Sequence, residues 1–413
     1  MPTRRFLSAV AALVLAAPTS AEDPRWSQWR GPDRDSRTSQ TLPTRLDRPE
    51  PRWSVPLGPS YSGPVILGDT VFTTETVDGS RERVSAYRLT DGSRLWQRAW
   101  EDSLTVPFFA AANGSWIRST PAAAVGPDGA SHLVVMGMRD RLVDLDPADG
   151  SVRWEVSLAS LDDASLEAFG GVCSPLIDGD SVYVQSGAGT VRLDLADGSV
   201  RWRVPDETGG MSGGAFSSPI LARIDGVRTL VVQTRTELTG LNPEDGTVRW
   251  RQPIEAFRGM NILTPLVVGD GAGIFTAAHS GRCERYDVSR VDGRWRSSLR
   301  WQQKGQGYMS SPVLVDGNIY LHLKNGRMRC LDAADGTIRW TGSPIGKYAS
   351  LISDGRTLAS LSDDGRLRLI AADPDEYRVM DEATVAEDSW AHLAVVDDGW
   401  LVRDLGSLAR FDW

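Results

Sequence analysis

The sequence predicts an all-β fold, an eight-bladed β-propeller of four-stranded antiparallel blades whose ring is closed by an N-terminal strand. Seven blades is the alternative. Three observations predict it. "DGSVRW" occurs at 149–154 and again at 197–202, with "DGSRLW" at 91–96, "DGTVRW" at 245–250 and "DGTIRW" at 335–340. Recurrence at about 40 to 50 residues with several short strands per unit marks a blade. Each unit opens on a small residue ahead of proline, at Pro64, Pro121, Pro175, Pro219, Pro265 and Pro312. The last unit stops three strands in, at "RFDW", while "RPEPRWSVPL" (48–57) carries Trp53 where its fourth strand is missing. A strand borrowed from the other terminus removes two open sheet edges.

Taken in order, the chain begins with "MPTRRFLSAVAALVLAAPTSAEDP". A basic start, a twelve-residue apolar run from Phe6 to Ala17, and Thr19 and Ala21 at the cleavage positions make residues 1–21 a signal peptide. The run is too short to span a bilayer, which takes about 20 residues. The expected location is periplasmic or secreted, by the general or the twin-arginine route. Loss of Arg4 and Arg5 would take the net charge from −9 to −11. An acidic surface of that kind argues against nucleic acid as a partner. Residues 22–47 form an N-terminal extension, and 48–413 a single propeller domain, expected as a monomer with no membrane span.

From residue 48 onward, runs rich in Val, Ile, Leu, Tyr and Thr alternate with Gly, Asp and Asn turns. Within a unit the proline leads into the innermost strand. A second strand such as "SVYVQS" and a third such as "TVRLDL" follow, and the Asp-Gly turn delivers the fourth strand with its tryptophan. Glycine tolerates the positive φ of such a turn and aspartate bonds nearby amides. A large ring at a fixed place in each blade packs against the next blade. Trp53, Trp96, Trp154, Trp202, Trp250 and Trp340 are therefore read as blade-docking residues. A degraded unit starts near Ser350, with Val379 in the tryptophan's place, and the last starts near His392.

The repeat resembles the PQQ-like, quinoprotein-type motif A-x-D-x-x-T-G-x-x-x-W. The matching stretches are "CLDAADGTIRW" (330–340), "DLDPADGSVRW" (144–154) and "RLDLADGSVRW" (192–202). The stretch "WSQWRGPDRDS" (26–36) is similar to the start of exported bacterial proteins of the BamB-like or PQQ-binding-like type. The resemblance implies eight blades and a BamB-like scaffold, a ligand-binding or protein-interaction module. The alternative it implies is a PQQ-dependent dehydrogenase oxidising an alcohol or sugar, with PQQ and calcium as cofactors. The adjacent cysteines common in those dehydrogenases are absent. Neither a calcium-binding Glu/Asn set nor a catalytic aspartate aligns, so no catalytic residue is assigned.

Other chemistry is sparse. His132, His279, His322 and His392 sit in different units without ligand spacing, and no metal site is assigned. "GGMSGGAFSSP" (209–219) lacks the strand-to-helix context of a phosphate loop. Cys173, Cys283 and Cys330 are too few for a disulfide framework, and whether the last two pair is left open. The connections between blades cluster on one face around the channel, where propellers bind ligands. The longest of them fall in 97–118 and 155–172. Tyr61, Trp116, Arg118, Cys173, Phe216, Asn261, Tyr308 and Trp390 occupy equivalent places there and are the candidate ligand-binding residues. A protein partner or small ligand on that face is the expected occupant.

Overall fold

The computed structural model describes residues 25–163, 166–187, 189–205, 215–279 and 281–413. The expected signal peptide lies outside these. Among the described residues thirty-two strands form eight four-stranded sheets. Seven blades are contiguous: Val65–Glu101, Ala122–Ser157, Leu176–Val204, Ile220–Pro253, Leu266–Gln303, Val313–Pro344 and Ala349–Thr384. The eighth joins Ala394–Asp412 to the strand Trp53–Pro56, which pairs antiparallel with Ser407–Arg410. The degraded unit at Ser350 is thus a complete blade, and the ring has eight blades closed by the N-terminal strand. In each blade the strands lie in order from the first strand outward, and the first strands of neighbouring blades meet around the central channel.

The repeated hexapeptide now has its physical cause. At every docking tryptophan but Trp250 the indole Nε1 donates to a carbonyl at the corner of the following blade. Trp53 reaches Leu89 O at 2.9 Å, Trp96 Pro147 O at 2.8 Å, Trp154 Leu195 O at 2.8 Å, and Trp202 Pro243 O at 3.0 Å. In these four the acceptor lies three residues before the glycine of the Asp-Gly turn. That glycine, at Gly92, Gly150, Gly198, Gly246 and Gly336, has a φ between 71° and 75°. A Cβ there would also strike the incoming indole at 2.6–2.9 Å. The glycine of one blade and the tryptophan of the blade before it are two halves of one contact.

Sequence reasoning missed one such tryptophan. Trp301 of blade 5 donates to Ala333 O at 3.0 Å and lies against Gly336. Its strand, Arg294–Gln303, follows a long hairpin closed at Asp292–Gly293, so the Asp-Gly signal sits four residues too early. The same hairpin removes the usual corner from blade 5. Trp250 of blade 4 therefore has a buried Nε1 with no partner. Trp250→Phe is expected to change stability by under about 0.5 kcal/mol, whereas Trp202→Phe, which loses a made bond, is expected to cost about 1 kcal/mol. Parallel urea denaturation curves of the two variants check this.

The small-residue–proline openings have a second stitching role. Gly63 N–H bonds Thr120 Oγ1 at 2.9 Å, Thr120 N–H bonds Ser174 Oγ at 2.9 Å, and Ser174 N–H bonds Ser218 Oγ at 3.0 Å. Thr264 N–H continues the pattern to Ser311 Oγ at 3.0 Å. Hydroxyls thus link blade to blade around the upper mouth of the channel, the face on which the blades are connected. The Asp-Gly corners lie on the lower face.

The N-terminal extension fills the channel from below. Ile66 N–H of blade 1 bonds Trp26 O at 2.9 Å and Ala123 N–H of blade 2 bonds Ser27 O at 2.8 Å. Ile177 of blade 3 exchanges two bonds with the Gln28 amide, Trp29 Nε1 donates to Thr264 Oγ1 of blade 5 at 3.1 Å, and Arg30 reaches Pro312 O of blade 6. Successive residues therefore meet successive blades around the ring. The segment then turns at Gly31 and descends, pairing Ser36 and Thr38 with Ser353 of blade 7. Arg30, Arg34 and Ser36 hold φ of 64°, 58° and 63°, a left-handed backbone that non-glycine residues keep only when their surroundings fix it. Beyond it, Leu42 and Leu46 join the core at blades 7 and 8, where Val379 leaves no docking tryptophan. Trp400 and Trp413, 4.4 Å apart between ring centroids, fill that junction instead.

Candidate functional site

At the upper mouth lies a cavity of about 110 Å³ whose walls include Tyr61, Arg118, Phe216, Tyr348 and Trp390. Trp29, at the top of the plug, is part of its floor. The inner-strand starts position the walls: Tyr61 N–H bonds Ile117 O at 3.0 Å, holding the blade 1 and blade 2 approaches side by side. The Tyr61 ring meets Trp116 edge-on at 5.4 Å and Trp390 at 5.8 Å, and Trp390 stacks on Tyr348 at 5.8 Å. The Arg118 guanidinium lies 5.0 Å over the Tyr61 ring, a cation–π distance. Its Nη2 donates to Gly114 O at 2.6 Å while its Nε is buried without a partner. Burial lowers the Arg118 pKa and raises that of Tyr61, so the pair stays a neutral phenol beneath a cation. Such a wall accepts a flat or apolar group and an adjacent acceptor.

Of the eight candidate residues, the structure brings Tyr61, Arg118, Phe216 and Trp390 to one cavity, with Trp116 behind Tyr61. It sets the others apart. Cys173 is fully buried, its sulfur accepting Gln185 N–H at 3.3 Å, and burial pushes its thiol up to about 11. It packs the wall from behind and is no reactive thiol. Asn261 is buried, donating to Thr234 O at 3.1 Å and Arg235 O at 3.0 Å, which pins a loop. Tyr308 belongs to a second aromatic group, 5.1 Å from His279 and under the Lys324 ammonium at 5.9 Å. All three cysteines are unpaired and buried, so Cys283 and Cys330 form no disulfide.

The residues that the candidate set leaves out are the apolar ones. From the rim at Phe216 a file of rings runs outward through Phe169 (5.4 Å) and Phe109 (6.4 Å) to Phe108 (5.7 Å). Phe108 is 91% exposed and Phe109 49%. They stand on a six-residue 3₁₀ segment, Phe108–Asn113, within the long connection that sequence length had marked. The doubled phenylalanine in a loop of a water-exposed face was the available signal. Trp29 and Tyr348 gave none, because nothing local places the plug beneath the mouth.

A PQQ–calcium group does not fit these residues. The cavity is well below the roughly 300–1,000 Å³ of cofactor-sized pockets, and among the described residues no carboxylate lines it. Among the described residues no group of three or more His, Cys, Asp or Glu side chains is placed to hold a metal. The histidines serve local structure: His132 Nδ1 is 2.7 Å from Asp144, His322 bonds Ser310 Oγ and Gly346 O, and His392 Nε2 faces Ser36 Oγ.

The fold and mouth together define a PQQ-repeat propeller of eight blades, plugged by its own N-terminal segment. The chain belongs to the family described as outer membrane protein assembly factor BamB, whose model matches residues 80–342. Among solved structures it is similar to BamB from Moraxella catarrhalis, at 19% identity over 88% of this chain and 99% of that one, TM-score 0.65. Quinohemoprotein alcohol dehydrogenase from Comamonas testosteroni is similar at 13% identity over 95% of this chain and 81% of that one, TM-score 0.65. The C-terminal WD40 domain of Sif2 follows at 12% identity over 87% and 97%, TM-score 0.54. At these identities the likeness is one of fold. No curated protein sequence matches the chain.

Proposed function

We propose that the protein is an exported interaction module whose upper face docks another protein. The observation that carries this reading is the file of rings from Phe108 to the Arg118–Tyr61 cavity. Exposed aromatic surface beside a small pocket with one guanidinium has the composition of a binding hot spot. A cavity of about 110 Å³ suits one side chain of a partner rather than a free cofactor. Membership in an outer-membrane assembly family supports a role at the cell envelope, as does the apolar stretch Phe6–Ala17. Among the described residues no helix is long and apolar enough to cross a membrane.

The test is photo-crosslinking from the source cell envelope with a benzophenone amino acid at Phe108. A defined adduct is expected, reduced at least tenfold by Arg118→Gln and absent when the probe stands at Asp225 on the lower face. Equal adducts at the two positions would sink the reading. PQQ with calcium, titrated against the purified protein, is expected to show no saturable binding. Tight binding with turnover of an alcohol or sugar would install the dehydrogenase instead.

A further inference from the structure

We propose that the lower channel holds an anion site. A phosphate- or carboxylate-sized oxyanion would sit between Arg30, Arg34 and Arg37 of the plug and the inward-facing amides of Leu221, Val267 and Leu314. The site is separate from the aromatic mouth and does not depend on what docks there.

The first observation is backbone geometry. The second residue after each opening proline stands at an equivalent register of the inner strand: Ile66↔Val71, Ala123↔Leu133 and Ile177↔Val182 in blades 1 to 3. In blades 4 to 6 the counterparts are Leu221↔Leu230, Val267↔Ile274 and Leu314↔Ile319. Antiparallel alternation turns the N–H of these residues out of the ladder and into the channel. In blades 1 to 3 those N–H groups are taken by Trp26 O, Ser27 O and the Gln28 side chain. On the side of blades 4 to 6 the plug offers no such oxygen. Leu221, Val267 and Leu314 instead face a chamber of about 270 Å³. Leu221, Val267 and Leu314 are half-buried, and amides turned into such a chamber bond to protein, water or ligand.

The second observation is charge. Arg30 and Arg34 are 1% and 2% exposed and also line the chamber. Arg30 donates to Ser36 Oγ and Pro312 O, and Arg34 to Pro175 O and Ser174 O, so every bonded acceptor is neutral. Arg30 Nη1 and Arg34 Nε are buried without a partner. Asp33 and Asp35 also border the chamber, the latter accepting Arg37 N–H at 2.8 Å. Three guanidiniums against two carboxylates leave the lining one positive charge in excess. Asp35 offsets part of the burial cost of Arg30, but no carboxylate does so for Arg34, and a charge-assisted bond to an oxyanion would offset what remains. Asp33, Asp35 and Arg37 are shared with an open vestibule of about 670 Å³ at the lower mouth, which gives the route in.

Inorganic phosphate is the probe, titrated calorimetrically at low ionic strength and followed by amide NMR of the full protein. Saturable one-to-one binding is expected, with shifts at Leu221, Val267 and Leu314 and none at Ile66, Ala123 or Ile177. Arg34→Gln should weaken it at least tenfold. Arg37→Gln, an exposed position outside the channel's bonds, should weaken it several-fold in a protein of unchanged melting temperature. Arg118→Gln should leave it untouched. Acetate in place of phosphate distinguishes the carboxylate from the phosphate source. The absence of saturable binding by either anion, or binding equal in wild type and Arg37→Gln, would overturn the site.

Discussion

Trp53→Ala is expected to cost about 3–5 kcal/mol, the range for emptying a buried aromatic site, and to do more than the same change at Trp340. Both indoles are 8% exposed and both donate to a carbonyl of the next blade, at 2.9 and 2.8 Å. The difference is connectivity. Trp340 joins two blades that the chain also joins. Trp53 sits on a four-residue strand that alone turns the last three strands into a blade and closes the ring. Its ring packs in a core shared by Ile66, Tyr87 and Leu89 of blade 1 and Leu401 and Leu408 of blade 8. Loss of that wedge exposes the edge Ser407–Asp412 and a blade face together. Hydrogen exchange of Leu408 to Arg410 should speed up at least tenfold in Trp53→Ala and stay near wild type in Trp340→Ala. Equal exchange in the two variants would show that closure rests on the rest of the strand and not on this indole.

The closure was readable because it is a repeat with one copy split. Asp-Gly, the tryptophan and the proline openings are local signals. Each reports a contact between equivalent places in adjacent blades, so counting them counted blades. Trp301 escaped because an elongated hairpin separates it from its turn. The plug escaped for a deeper reason. "WSQWRGPDRDS" has neither strand nor helix periodicity, and its conformation is set by seven different blades rather than by itself. For the same reason the residues facing one another at the upper mouth were only half legible. Propeller symmetry told which positions share a face, giving Tyr61, Arg118, Phe216 and Trp390. It did not tell that Cys173 and Asn261 turn inward, since the choice between lining and packing is made by neighbours far away in sequence.

The second large effect concerns pH, and it follows from three carboxyls buried between blades 1, 2 and 3. Burial, reinforced by Asp102, lifts Glu82 to about 8; burial alone dominates the rise of Asp102 to about 6 and Asp140 to about 7. Glu82 Oε2 and Asp102 Oδ2 both lie within 2.6 Å of the point where a Cβ on Gly137 would stand, which is why that position is glycine. Arg139 and Arg141 border the group and Glu155 and Glu167 oppose them, so the charge nearby is not enough to hold the carboxyls ionised. Each of these groups binds its proton more tightly folded than unfolded, where a carboxyl titrates near pH 4. Their stabilising effect is therefore complete at low pH and is lost as pH rises through the folded values. For Glu82 that displacement corresponds to on the order of 5 kcal/mol. His322 and His392 act in the opposite sense: burial lowers them to about 4 and about 3, so acidification below about 6.5 favours the unfolded chain. Between about pH 4 and 6 the three carboxyls outweigh the two histidines, so these groups together are expected to lower stability from about pH 5 to about pH 8, with little further change above. Glu82→Gln keeps an acceptor for Met138 N–H and offers an N–H to the otherwise unpartnered Asp102 Oδ2, at the loss of the long 3.3 Å bond from Trp100. It should raise the melting temperature at pH 8–9 by several degrees and leave it nearly unchanged at pH 5. A parallel fall for both proteins between pH 6 and 9 would place the titration elsewhere in the molecule.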